Sequence, residues 1–186
     1  MYTDFNMAPE TDPLTDLALK YGGEAQNEVR LGYTPYYYTL FKNRRRSIRK
    51  VLEIGIGDGM GLRMWRDFFV NAKIYGVDYR PETLITEPRI ESILADQRRR
   101  EHLEDLIKTI GSNIDLVIDD GSHRSRDQFF TCSVLMPLLN KNVTYIIEDV
   151  SDISVIKRLG NYDISVPSLP ALVETPGGCL VVVRNP

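Results

Sequence analysis

Cysteine is scarce in this chain: Cys132 and Cys179 are the only two among 186 residues. They are too few and too far apart to build a disulfide framework or a four-ligand zinc site. Long apolar runs are missing as well. No segment approaches eighteen uninterrupted apolar residues, so no membrane-spanning helix is expected. The start Met1-Tyr2-Thr3-Asp4 also lacks the basic-then-apolar pattern of a secretory signal. A reducing cytoplasm is the expected location. Excess positive charge is absent too, and a formal net charge of −3 argues against a protein whose main work is gripping phosphate backbones. Two basic runs, Arg44-Arg45-Arg46 and Arg98-Arg99-Arg100, read as solvated helix faces. There is no internal repeat and no low-complexity segment. What is present, 42% hydrophobic and 26% charged residues, is the composition of a globular protein of one ordinary domain's length.

From about residue 50 onward, short apolar β-rich runs alternate with longer helical patterns, which predicts βαβ units and a parallel sheet. Val51 to Gly55, Ile74 to Asp78, Ile90 to Asp96, Leu116 to Asp120 and Tyr145 to Asp149 each read as a strand ending in a small or acidic residue. Two more runs, Tyr162 to Val166 and Cys179 to Val183, read as a closing pair, with Pro176-Gly177-Gly178 turning into the last, antiparallel strand. Helices are expected over Gly61 to Phe69, Gln97 to Ile110 and Arg126 to Leu139, with a shorter one near Pro81 to Ile85 and another around Ile153 to Leu159. Residues 1–48 differ in character. A helix near Leu14 to Tyr21, a Gly22-Gly23 break and an aromatic helix around Tyr36 to Phe41 suggest a helical cap ahead of a second unit, 49–186. Such a cap would cover a site mouth, although core packing alone would explain Tyr36, Tyr37, Tyr38 and Phe41.

The run Val51-Leu52-Glu53-Ile54-Gly55-Ile56-Gly57-Asp58-Gly59-Met60-Gly61 is a strand feeding a glycine-rich turn that opens a helix. Glycines let backbone N–H groups approach a nucleotide-like ligand and allow positive φ in the turn. The dinucleotide fingerprint would place its third glycine at Met60, so NAD fits poorly. Glu53, two positions before Gly55, suits a ligand bearing an ammonium group rather than a pyrophosphate. Asp78, ending the next strand, can accept hydrogen bonds from both ribose hydroxyls, and Asp96-Gln97, ending the third, suit an adenine amino group.

Two further strand ends are dense in acids: Asp119-Asp120-Gly121-Ser122-His123 and Glu148-Asp149. In a doubly wound sheet these ends converge beside the glycine turn, at the topological switch point. Carboxylates so crowded repel one another unless a cation neutralises them. All-oxygen donors suit Mg²⁺, which keeps open positions that a substrate diol would fill. His123, three residues after Asp120, is then placed to take a proton from a hydroxyl whose acidity the cation raises. His102, within a helix, reads as structural.

Glu53-x-Gly55-x-Gly57-x-Gly59 with Asp78 and Asp96 resembles the cofactor motifs of class I S-adenosylmethionine methyltransferases. The resemblance implies that the glycine turn carries the methionine part, Asp78 the ribose, and Asp96 with Gln97 the adenine, with Asp119 counted among the cofactor-binding residues. Asp119-Asp120-Gly121-Ser122-His123 followed by Tyr145-Ile146-Ile147-Glu148-Asp149 is similar, more narrowly, to the metal-dependent O-methyltransferases of macrolide sugars, the mycinamicin and macrocin type. Met64-Trp65-Arg66, Ile74-Tyr75-Gly76-Val77-Asp78 and Lys20-Tyr21-Gly22 extend that similarity over most of residues 14–150. It implies a Rossmann-like α/β fold: a seven-stranded, mostly parallel sheet with helices on both faces and an antiparallel last strand. It further implies Mg²⁺ on Asp120, Glu148 and Asp149, His123 as general base, and a small-molecule acceptor, a sugar or other diol. A homo-oligomer is compatible with this, while membrane and nucleic-acid partners are not expected. There are two departures. The macrolide enzymes carry a large additional N-terminal region without counterpart here, and their acidic-lysine ending after the Tyr-Gly motif is here Gly23-Glu24-Ala25. The rival readings are an S-adenosylmethionine-binding protein without methyltransferase activity and a nucleic-acid methyltransferase using the two arginine runs.

Overall fold

The computed structural model describes residues 12–169 and 178–186. Its first helix, α1 (Pro13–Tyr21), starts where Asp12 accepts hydrogen bonds from the Leu14 and Thr15 amides at 3.0 and 2.9 Å, and Pro13 needs no donor at that position. It stops at Gly22, where φ is +68°. Helices α2 (Gly23–Arg30) and α3 (Tyr33–Phe41) follow, and then the sheet begins.

The strands are β1 (Lys50–Ile54), β2 (Lys73–Asp78), β3 (Thr86–Glu87), β4 (Ile90–Leu94), β5 (Leu116–Asp119), β6 (Thr144–Val150), β7 (Asp163–Ser165) and β8 (Cys179–Arg184). They form one sheet in the order β3-β4-β2-β1-β5-β6-β8-β7. The five from β4 to β6 run parallel, whereas β3 and β8 lie antiparallel to their neighbours. The sheet therefore has eight strands rather than the seven that the sequence pattern predicts. The extra one, β3, is two residues long, too short to carry any alternation. Pro176 and Gly177 of the expected turn lie outside the described residues.

Because successive side chains on a strand face opposite ways, each central strand feeds two cores. Val51, Ile74, Leu116, Ile118, Ile146 and Val182 pack with α1, α3 and α4 (Met60–Phe68). Leu52, Ile54, Val77, Val117, Tyr145 and Ile147 pack on the other face with α5 (Arg100–Ile110) and α6 (Ser125–Leu135). Helix α5 shows the cause locally: Leu103, Leu106, Ile107 and Ile110, spaced for one helical face, are its buried residues. On the first face, Tyr37, Trp65, Phe41 and Phe69 interlock at ring-centroid distances of 5.2 to 6.5 Å. Each such aromatic pair adds about 0.5–1.5 kcal/mol beyond its buried area. A short helix, α7 (Ile153–Ile156), follows β6. Among the described residues no helix is long and apolar enough to cross a membrane.

The chain leaves β1 toward β2 and β4 on one side and returns to β5 and β6 on the other. The carboxyl end of β1 is thus the point where the winding reverses, and there a crevice must open.

Candidate active site

A cleft of about 470 Å³ opens at that point. Gly55 and Gly57 form its floor. Gly55 has φ +94°, and a Cβ there would come within 2.8 Å of the Asp120 carbonyl carbon, so only glycine lets β1 and the loop after β5 approach so closely.

On the β2 and β4 side stand Asp78 and Asp96, both in the cleft wall. Asp78 accepts from the Ile56 amide at 3.1 Å and from the Arg80 amide at 2.9 Å, while the Arg80 guanidinium lies on both its oxygens at 3.2 and 3.3 Å. Although burial opposes it, that pairing with Arg80 and the two amides hold the Asp78 carboxyl below its ordinary value. Asp96 pairs with Arg98 at 2.8 Å and is likewise kept ionised, and its amide donates to His102 Nδ1 at 3.0 Å. His102 is therefore structural, as its helical setting suggests. Gln97 lies in the same wall, and its Oε1 accepts from the Ser122 amide at 2.8 Å.

Two sequence-selected acids lie behind the wall rather than in it. Asp119 is fully buried, accepting from Gln97 Nε2 and from Tyr145 Oη, both at 3.0 Å. Burial pushes it up to about 7, and those two donors pull it partly back. Through Gln97 it fixes the loop after β5 to the end of β4. Glu53 turns away from the cleft, toward Gly61 and the Trp65 indole. Its Oε2 is buried without a hydrogen-bond partner, and burial drives its carboxyl well above the ordinary range.

On the β5 and β6 side, Asp120, His123 and Asp149 converge. His123 Nε2 lies 2.8 Å from Asp120 Oδ1, and Nδ1 lies 4.0 Å from Asp149 Oδ2. Each of the three offers a ligand atom within 4.8 Å of the others. His123 and Asp149 both hold positive φ, 52° and 51°, a conformation that costs a non-glycine residue about 1–3 kcal/mol and clusters at functional sites. The hydrogen bond to Asp120, with the nearby Asp149 charge, pushes His123 up to about 9 against the opposing effect of its burial.

Glu148 lines the cleft beside them, but its Oε1 accepts a hydrogen bond from Tyr37 of α3, and its backbone carbonyl accepts from Gln128 at 2.7 Å. Tyr33, one turn earlier on α3, donates to Asp149 Oδ1 at 2.7 Å. The pattern of aromatic residues points to packing for Tyr37 and Phe41, and both are buried. It does not reveal the hydroxyl contacts, and Tyr33 is missed altogether because the expected helix begins three residues later. Helix α2, also missed, places Glu24 and Asn27 in the cleft wall, and Leu31, just past its end, joins them.

The donor set fits a hard dication: Asp120 and Asp149 face one point with His123 between them, and a third acid, Glu148, lies adjacent. The glycine floor and the ribose-spaced acids fit an adenosyl cofactor, in a volume normal for a small-molecule site.

Comparison with known proteins agrees with this geometry. Over 144 residues the chain is 38% identical to the 8-demethyl-8-alpha-L-rhamnosyl tetracenomycin-C 2'-O-methyltransferase of Streptomyces olivaceus, which covers 74% of this chain and 37% of that one. Over 125 residues it is 36% identical to the mycinamicin VI 2''-O-methyltransferase of Micromonospora griseorubida, covering 63% of this chain and 31% of that one. The chain thus spans only about a third of the length of these curated relatives. Among solved structures, the MycE methyltransferase of the mycinamycin biosynthetic pathway, in complex with Mg, SAH and mycinamycin VI, superposes with a TM-score of 0.73 at 25% identity. That match covers 95% of this chain and 56% of the other. Residues 36–174, from α3 through the end of the parallel sheet and beyond, match the family model of FtsJ-like methyltransferases, and to that family the chain belongs.

Proposed function

We propose that this protein is an S-adenosylmethionine- and Mg²⁺-dependent O-methyltransferase acting on a hydroxyl of a sugar or another small diol-containing molecule. The observation that carries the reading is the placement of His123 between Asp120 and Asp149, across the glycine turn from Asp78 and Asp96. Asp78 would hold the ribose and Asp96 with Gln97 the adenine, with Gly55, Gly57 and Gly59 around the methionine part. Glu53 and Asp119 would support that site from beneath. Asp120 and Asp149, with Glu148 beside them, would hold Mg²⁺, which prefers oxygen donors to imidazole and so leaves His123 to act as the base. When bound, Mg²⁺ would orient the acceptor hydroxyl and raise its acidity.

The rest falls to the protein. At neutral pH the two carboxylates keep His123 protonated, and a protonated imidazole cannot act as a base. A dication held by Asp120 and Asp149 would offset that field, and His123 would then keep a lone pair. Because Nε2 faces Asp120 Oδ1, a hydrogen bond there leaves Nδ1 to receive the hydroxyl proton. When bound, S-adenosylmethionine would supply the methyl group to the acceptor oxygen as its sulfur–carbon bond breaks, and would leave as S-adenosylhomocysteine. No covalent enzyme intermediate is needed, and alignment alone can supply roughly 7–11 kcal/mol.

Residues 1–48 are proposed as a helical cap on a cofactor-binding unit, 49–186, a reading supported by the cleft-lining residues of α2. The cytoplasm is the proposed location. The decisive assay follows methyl transfer from labelled S-adenosylmethionine to glycosylated and catechol-like diols. Transfer should stop in chelator and resume with Mg²⁺; full activity in chelator rejects the metal role, and no transfer to any diol rejects the acceptor class.

A further inference from the structure

S-adenosylmethionine ends in an α-ammonium, and a carboxylate facing it makes a charge-assisted hydrogen bond roughly twice as strong as a neutral one. Glu53, the acid that the glycine motif itself suggests, is poorly placed for this. Its side chain points to the α4 face, where its Oε1 lies 2.6 Å from the position a Gly61 Cβ would take, and its Oε2 is sealed from solvent. Glu24 is on the other side of the turn, in the cleft wall.

Glu24 is held there by a reciprocal clasp. Its Oε2 accepts from the Asp58 amide at 3.3 Å, while Asp58 Oδ2 accepts from the Glu24 amide at 3.1 Å. Neither glycine at this junction can be replaced freely: a Cβ on Gly57 would overlap the Glu24 carboxylate, and one on Gly23 would overlap that of Asp58. Gly22 and Gly23, with φ of 68° and 56°, end α1 and swing α2 across the glycine turn. The clasp brings a third acid toward Asp58 and Asp120, and burial together with those charges raises the Glu24 carboxyl above its ordinary value. Groups so crowded form a potential that favours a cation.

We propose that Glu24, delivered by the Gly22-Gly23 turn, is the residue that binds the cofactor's α-ammonium. This rests on the methyltransferase reading above and assigns the methionine end of the same cleft.

The test compares two ligands by calorimetry: S-adenosylhomocysteine, which carries the ammonium, and 5′-methylthioadenosine, which lacks the amino-acid end. Glu24→Gln should weaken S-adenosylhomocysteine about tenfold or more and leave 5′-methylthioadenosine within about twofold. Gly23→Ala, which displaces the clasp while keeping the carboxylate, should show the same selective loss. Equal weakening of both ligands in Glu24→Gln, or unchanged binding of both, overturns the assignment. So does selective loss in Glu53→Gln with none in Glu24→Gln. A wild-type protein that binds neither nucleoside overturns the methyltransferase reading itself, a result distinct from these.

Discussion

The Tyr33 hydroxyl donates to Asp149 Oδ1 at 2.7 Å, and one helical turn later Tyr37 donates to Glu148. Neighbouring strand residues normally face opposite ways, so a single helix should not reach both. A bulge explains it. Between Ile147 and Val150 the register of β6 against β8 slips by one residue, and Asp149 takes a positive φ. Two consecutive carboxylates are thereby presented to α3.

Outer-shell donors of this kind typically contribute ten- to a hundredfold in metal affinity. Tyr33→Phe is accordingly expected to weaken Mg²⁺ binding about tenfold, read by calorimetric titration, with little change in the thermal midpoint. Tyr37→Phe should weaken Mg²⁺ binding and also lower the thermal midpoint, because Glu148 is buried and would lose a donor, at a cost of about 1–3 kcal/mol. Mg²⁺ affinity unchanged in both variants would deny α3 any part in the site.

Much of this architecture is legible in the residues themselves. The glycine turn, the parallel strands and the acids at their ends follow from period and spacing, and the sheet places Asp78, Asp96, Asp120 and Asp149 around one cleft. What is hidden has physical reasons. Helix α2 reads Gly-Glu-Ala-Gln-Asn-Glu-Val-Arg, with Ala25 its buried apolar residue and no repeat of apolar positions to reveal it. The β6 bulge depends on a partner strand far along the chain. Glu53 shows the limit most clearly: its spacing from the glycines suggests a ligand contact, but strand alternation puts it on the face of Val51, toward α4.

Glu53 also makes stability depend on pH. Its carboxyl is raised in the folded state, so the native protein binds a proton more tightly than the unfolded chain does. The stabilisation is complete below the ordinary carboxylate range near 4.5 and is lost as pH rises toward the folded value. Over that window one extra bound proton gives a slope of up to about 1.4 kcal/mol per pH unit. Glu53→Gln removes the titration and keeps the shape, so its unfolding free energy in urea should fall less steeply than that of the wild type between pH 5 and 8. Parallel curves for the two proteins would mean that Glu53 is not held protonated.

Gly55 couples the glycine turn to the acids across the cleft. Besides the Asp120 carbonyl, a Cβ here would meet Gly121 Cα at 3.0 Å, and neither backbone can yield without moving the loop that carries Asp120 and His123. Gly55→Ala should cost more than about 1 kcal/mol of stability, since alanine is strained at φ +94°. It should also weaken S-adenosylhomocysteine and Mg²⁺ together. Loss of one ligand without the other would show that the two halves of the cleft are mechanically independent.

His123 offers a test in which function and stability oppose each other. At φ 52° its backbone is in the left-handed region, which glycine enters without the steric cost of a Cβ. Replacing it by Ala or by Gly removes the same imidazole and the same contact with Asp120, so the difference between the two variants isolates the backbone. The strain that Ala retains outweighs the extra chain entropy that Gly brings to the unfolded state, and His123→Gly is expected to be about 1 kcal/mol more stable than His123→Ala. Both should be inactive in methyl transfer while binding S-adenosylhomocysteine nearly as the wild type does. Were Ala the more stable of the two in urea denaturation, the positive φ at this position would not be a strained feature of the folded protein. Were either variant to turn over normally, His123 would have no role as the base.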